Sequence, residues 1–125
     1  MESKHLGDLE LAVWRHIPDE GATVTQEAKH FAEVRGLART TILTVMERLR
    51  IKKFLSRRRD GKAWRYFLRK PKSEVFLGLV RRFMDRTLGG SVDPFMTYLM
   101  SDAKLTAAQI QELKQFVEKA EKKAK

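Results

Sequence analysis

The stretch Ala38–Leu68, ARTTILTVMERLRIKKFLSRRRDGKAWRYFL, decides the fold. Its first half places Ile42, Val45, Met46 and Leu49 at i, i+3, i+4 and i+7, the spacing of a helix with one apolar stripe. The opposite side presents Thr40, Thr44, Glu47 and Arg48, with Thr41 at the border and Arg39 at the N-terminal end. The second half reads as two short strands joined by Asp60-Gly61, a strong hairpin signal. On the return, Trp64, Tyr66 and Leu68 alternate with Ala63, Arg65 and Phe67, so one set should cover the helices and the other face outward. A helix followed by a basic ribbon is the sequence form of a winged helix-turn-helix, and it points to DNA.

Upstream, a first helix is expected from Asp8 as N-cap, with Leu9, Ala12, Val13 and Ile17 on one side and Trp14 in the core. Pro18 should end it. A second helix is expected from a Thr25 cap, with Ala28, Phe31 and Ala32 inward and Arg35-Gly36 as the stop. The link to the third helix is very short, as in a helix-turn-helix. In that motif the N-terminal residues of the second motif helix reach base edges, so Arg39, Thr40, Thr41, Thr44 and Arg48 are the candidate groove readers. Three β-branched threonines in five positions are unusual on a plain helix surface, the competing reading. Arg58, Arg59 and Lys62 fall near the hairpin tip, where a wing meets the phosphate backbone or the minor groove; the alternative is an edge ribbon that charge protects from aggregation.

The charge distribution agrees. The 125-residue chain carries a net +10 with a pI near 10.2, and its 42% hydrophobic content suffices for a folded core. Arg48–Lys72 holds twelve lysines and arginines against the single acid Asp60, a net of +11 in 25 residues, and among them Arg57, Arg58, Arg59, Lys62 and Arg65 are the candidate wing or backbone contacts to DNA. The rest of the chain is close to neutral. A solvated basic surface or an anionic-membrane patch would share this charge, but nucleic acid is the commoner partner.

Arg69-Lys70-Pro71 marks a boundary, giving an expected winged-helix domain over 1–71 and a helical domain over 72–125. The second half has ten basic and seven acidic residues and reads as helices throughout. Ser73 can cap the first and Gly89-Gly90 ends it; Asp93-Pro94 opens the second; Thr106-Ala107-Ala108-Gln109 is a capping-box pattern before the last, whose end should fray. Phe76, Leu79, Val80, Phe83, Phe95, Leu99, Ile110, Leu113 and Val117 make these helices too apolar to stand alone in water, which predicts a homodimer. A ligand pocket among Phe76, Phe83, Phe95, Met96 and Met100 is the weaker alternative. The fold class is therefore mainly α with a small β-ribbon: a winged helix-turn-helix domain followed by a helical dimerisation domain.

No enzyme constellation is visible. His5, His16 and His30 lack metal-ligand spacing, and there is no phosphate-binding glycine loop or nucleophile elbow. No cofactor and no metal are expected. The absence of cysteine fits a reducing cytoplasm. No apolar run is long enough to span a membrane, and the acidic start MESKHLGDLE does not read as an export signal. Two functional classes remain: a sequence-specific transcriptional repressor, and a non-specific RNA-associated or nucleoid-packing module.

The run LARTTILTVMERLRIKKFLSRRRDGKAWRYFL resembles the DNA-binding core of the penicillinase-repressor family, the BlaI/MecI/CopY-type winged-helix repressors. LGDLELAVW is similar to that family's first helix and LTAAQIQEL to its last. The resemblance implies a dimeric repressor of resistance or stress genes on a palindromic operator. It implies Arg39, Thr40, Thr41, Thr44 and Arg48 as groove readers, with Arg58, Arg59, Lys62 and Arg65 as wing contacts. In the antibiotic-responsive branch it also implies a membrane sensor-peptidase as partner. Three positions depart from the family pattern. Lys53 stands where a glycine often follows the recognition helix, Tyr98-Leu99 stands at the place of an Asn-Phe cleavage step, and the C-terminal cysteines of the copper-responsive branch are absent.

Overall fold

A computed structural model describes residues 5–124. The reading of the N-terminus as free of an export signal falls partly on residues 1–4, outside the described residues. The elements are α1 (Asp8–His16), β1 (Ala22–Thr23), α2 (Val24–Arg35), α3 (Arg39–Ile51), β2 (Leu55–Asp60), β3 (Ala63–Leu68), α4 (Lys72–Arg86), α5 (Asp93–Ser101) and α6 (Ala107–Ala124). Two compact units divide between Leu79 and Val80, so α4 runs across the division.

In the first unit α1, α2 and α3 enclose Val13, Trp14, Ile17, Phe31, Ile42, Met46 and Leu49, and Leu55 and Tyr66 close the core from the sheet. The expected stripe of α3 is buried in full: Ile42, Val45, Met46 and Leu49 are each at most 4% exposed. Trp14 is fully buried, with Phe76 edge-on at 5.1 Å.

Several local expectations shift by a residue or two, each for a physical reason. Gly7, not Asp8, is the N-cap of α1, because the Glu10 carboxylate reaches back to accept its N–H at 2.8 Å. Thr23, not Thr25, caps α2. Its Oγ1 accepts from the Gln26 N–H at 3.2 Å, and Gln26 Oε1 accepts from the Thr23 N–H at 2.9 Å. The earlier start turns Val24 and Glu27 inward with Ala28 and Phe31, while Ala32 is exposed. Glu27 is buried against the His16 ring, 2.8 Å from Nδ1. Asp93 is the first residue of α5 rather than its cap, and α4 already starts at Lys72. The Thr106–Gln109 box forms as expected, and α6 stays helical to Ala124.

The ribbon gains a third strand, in the antiparallel order β1-β3-β2. Two residues, Ala22 and Thr23, are too few to show a period in sequence. Asp60 pairs with Ala63, so the two-residue turn is Gly61-Lys62 rather than Asp60-Gly61. Gly61 has φ 67° at the first turn position, where type II′ hairpins use glycine. The register Arg57↔Tyr66 and Arg59↔Trp64 puts these four residues on one face of the wing, and Arg58↔Arg65 puts that pair on the other.

Three contacts fix α3. At its end the Phe54 N–H donates to the Leu49 carbonyl (2.9 Å) and the Lys53 N–H to the Arg50 carbonyl (3.0 Å), a Schellman closure. Lys53 sits at φ 71° in the left-handed position that this motif usually gives to glycine. Next to it, Lys52 Nζ donates to Glu10 Oε1 (2.8 Å) and to the His5 carbonyl (2.8 Å), tying α3 to α1. Burial pushes the Glu10 carboxyl up, but hydrogen bonds from Lys52 and Gly7 outweigh it and hold the group below its ordinary value.

The third contact is the Glu47 carboxylate. Arg50 Nη2 donates to it at 2.8 Å from the same helix, Arg57 Nη1 at 2.9 Å from β2, and the Tyr66 hydroxyl from β3. The Arg50 hydrogen bond, then that of Tyr66 and the charge of Arg57, prevail over burial and hold Glu47 at about 2. This one side chain joins the third helix to both long strands of the wing.

Two stability measurements follow. A left-handed lysine is strained by roughly 1 kcal/mol, and glycine would relieve that at a similar cost in chain entropy. Lys53→Gly should therefore stay within about 1 kcal/mol of wild type in urea denaturation, while β-branched Lys53→Ile should lose about 1–2 kcal/mol. Glu47→Gln should cost about 2 kcal/mol near neutral pH, because it removes the charge to which three residues, Arg50, Arg57 and Tyr66, donate. The folded-state value of Glu47 lies below the ordinary 4.5, so its stabilisation is full above that pH and is lost as pH falls towards about 2. The gap between wild type and Glu47→Gln should close across that window.

Candidate nucleic-acid interface

The N-terminal turns of α3 present Arg39, Thr40 and Thr44 to solvent, with Thr41 half-buried at the border. Ala38 caps the helix with extended backbone and no side-chain hydrogen bond. The first turn of α3 has no acidic residue. The positive end of the helix is thus unopposed and suits a phosphate or the electronegative base edges. Arg39 donates from Nη1 to Thr25 Oγ1 at 2.9 Å, linking the reading helix to the start of α2. Arg48, one turn beyond Thr44, is exposed.

The wing arginines divide into two groups. Arg57 and Arg65 are held within the chain. Arg57 donates to Glu47 and lies 4.2 Å over the Trp64 ring. Arg65 donates from Nε to Asp60 Oδ2 at 2.7 Å and from Nη1 to the Gly21 carbonyl at 3.3 Å. By contrast, Arg48, Arg58, Arg59 and Lys62 have no carboxylate within salt-bridge reach among the described residues. Arg58 rests on Phe67, its guanidinium 4.0 Å from the ring centroid, and Arg59 on Trp64 at 4.8 Å. Aromatic faces thus orient these two cations without neutralising them.

Between α3 and the wing lies a cleft of about 420 Å³ whose walls include Thr25, Arg39, Leu43, Glu47, Arg57, Lys62 and Trp64. Burial and the hydrogen bond to Glu47 push the Tyr66 hydroxyl up, so it remains a protonated donor at the back of this cleft. The Glu47 carboxylate is the acid among the walls of this cleft, and its three donor residues, Arg50, Arg57 and Tyr66, offset its charge. Sequence reasoning placed Glu47 on the outer face of the helix. The Glu47–Arg50 i,i+3 pair was a visible signal, whereas the reach from Arg57 and Tyr66 depends on the hairpin register. Leu43, 44% exposed among the polar positions, went unremarked because periodicity excludes it from the core stripe and says nothing more.

The expected dimerisation residues lie on α4, α5 and α6, none of which contains a buried residue. Leu79 and Leu99 are half-buried, and Phe76 meets Trp14 within the first unit. Val80, Phe83, Phe95, Ile110, Leu113 and Val117 are exposed in the single chain, Val80 and Val117 by 51% each. The described residues contain no group of three or more His, Asp or Glu able to hold a metal, and no described helix is long and apolar enough to cross a membrane.

Comparison with known proteins agrees with the resemblance carried by the motifs. Over 77 residues the chain is 39% identical to the protein named transcriptional regulator BlaI from Mycobacterium tuberculosis, in both the CDC 1551 and H37Rv strains. The alignment spans 60% of this chain and 56% of that protein, so the chain spans little more than half the length of these curated relatives. A crystal structure of the transcriptional regulator SlyA aligns over 94% of this chain and 74% of its own, with a TM-score of 0.44 and 18% identity. The penicillinase repressor family matches residues 6–119. With its helix-turn-helix, its wing and a match over nearly its whole length, the chain belongs to the penicillinase repressor family.

Proposed function

We propose that this chain is a cytoplasmic transcriptional repressor that binds a pseudo-palindromic operator as a homodimer and controls resistance or stress genes. Residues 1–71 form its DNA-binding domain and residues 72–125 its dimerisation domain. In this reading α3 enters the major groove with Arg39, Thr40, Thr41, Thr44 and Arg48 at the bases, while the wing lies on the flanking backbone. The observation that carries the reading is the sorting of charge: among the described residues Arg48, Arg58, Arg59 and Lys62 have no carboxylate within salt-bridge reach, Thr40 and Thr44 are exposed, and Glu47 is fully answered. Arg57 and Arg65 set the shape of the wing as well as adding to its field. The exposed apolar residues of α4–α6 support the second copy, since a lone chain would leave them in water. A membrane sensor-peptidase is the further partner that the family resemblance implies, but Tyr98-Leu99 on α5 does not match the Asn-Phe step at which it would cut, so release is not assigned to cleavage there.

Wing and helix variants test the division of roles. Arg58→Ala or Lys62→Ala should weaken binding to all duplexes alike and lower the salt slope by about one unit each. Thr44→Ala or Arg48→Ala should instead reduce the preference for the selected operator over random DNA. The same titrations should saturate at two chains per operator. Identical behaviour of the two classes of variant would contradict the assignment, and equal affinity for every duplex would favour a packing protein.

A further inference from the structure

We propose that Leu43 reads a thymine methyl group, which rests on the reading that α3 enters the major groove. Leu43 is the fifth residue of α3, within the N-terminal turns that approach base edges in this motif. It is 44% exposed and lies one helical turn from both Arg39 and Glu47. Of those two neighbours, Glu47 has no free group to offer a base, while Arg39 keeps its place among the groove readers. Arg39 is hydrogen-bonded to Thr25, and Glu47 is held by Arg50, Arg57 and Tyr66.

The side chain forms part of the cleft between α3 and the wing, opposite Lys62 and Trp64. An apolar group there gains nothing from water. The C5-methyl of thymine is the apolar feature that base edges offer in the major groove. A Leu–methyl contact adds apolar burial without a hydrogen bond, and it distinguishes thymine from cytosine at a position that Thr40 and Thr44 need not share. Ile51, 68% exposed but at the far end of α3, is too distant from the N-terminal turns to do the same.

The test uses the whole 125-residue chain. A site is selected from a pool of random duplexes, and each thymine in it is then replaced by deoxyuridine, which lacks only the C5-methyl. Wild type should lose affinity by about three- to fivefold at one thymine per half-site, the worth of one buried methyl. Leu43→Ala should bind the thymine and uracil duplexes equally there, while Leu43→Met and Ile51→Ala keep the difference. Circular dichroism should show both Leu43 variants folded. The proposal is overturned if uracil is tolerated at every position, or if Leu43→Ala keeps the wild-type difference, which would hand the methyl to a threonine. If no sequence is selected at all, the operator reading fails and the thymine contact with it.

Discussion

The carboxylate of Glu47 is the point on which the arrangement of this protein turns. It lies on the third helix and accepts from that helix, from the outgoing strand and from the returning strand of the wing. A hairpin attached to a helix only through its connecting turn could swing. Here the turn is closed by a strained left-handed lysine, the helix is tied back through Lys52 to Glu10, and Glu47 fixes the wing from the side. Losing the Glu47 charge would loosen the geometry between the third helix and the wing, the two surfaces that the proposed complex brings to one duplex.

The same contact arranges the electrostatics. A glutamate on the face that meets a polyanion would ordinarily be unfavourable. Two arginines and a tyrosine satisfy it, and the cost is that Arg57 no longer contributes an unpaired charge. Arg65 is similarly held by Asp60. What remains is a smaller and better oriented set, Arg48, Arg58, Arg59 and Lys62, with Arg58 and Arg59 resting on aromatic rings. In the proposed complex these cations supply affinity and the side chains at the start of the third helix supply sequence preference.

Much of this was legible in the sequence. The four apolar residues of the third helix repeat at helical spacing, and all are buried on the one face that this spacing creates. The left-handed backbone at Lys53 was foreseeable only through the family resemblance, since a lysine carries no such signal. The strand Ala22–Thr23 is too short for any pattern, and the hairpin turn slipped by one residue because Asp60-Gly61 and Gly61-Lys62 are both good turn pairs. That slip leaves the faces unchanged but moves each cross-strand partner by two residues, setting Arg57 opposite Tyr66 rather than Trp64, so the roles of Arg57 and Glu47 needed three dimensions. The threonine cap at position 23 was readable as T-x-x-Q, but the next threonine competed with it.

The helices after Leu79 contain no buried residue, and their exposed Phe83, Phe95, Phe116, Val80, Val117, Ile110 and Leu113 support a second copy of the chain. Two wings and two reading helices would then face one duplex, which is what gives the proposed repressor its selectivity. The most direct measurement is a competition titration of the whole 125-residue chain between a selected pseudo-palindromic duplex and random DNA at a stated salt concentration. A groove-reading repressor predicts a preference of at least about 10³-fold. A ratio near one would contradict it, and would mean that the charge of the wing acts without the helix beside it.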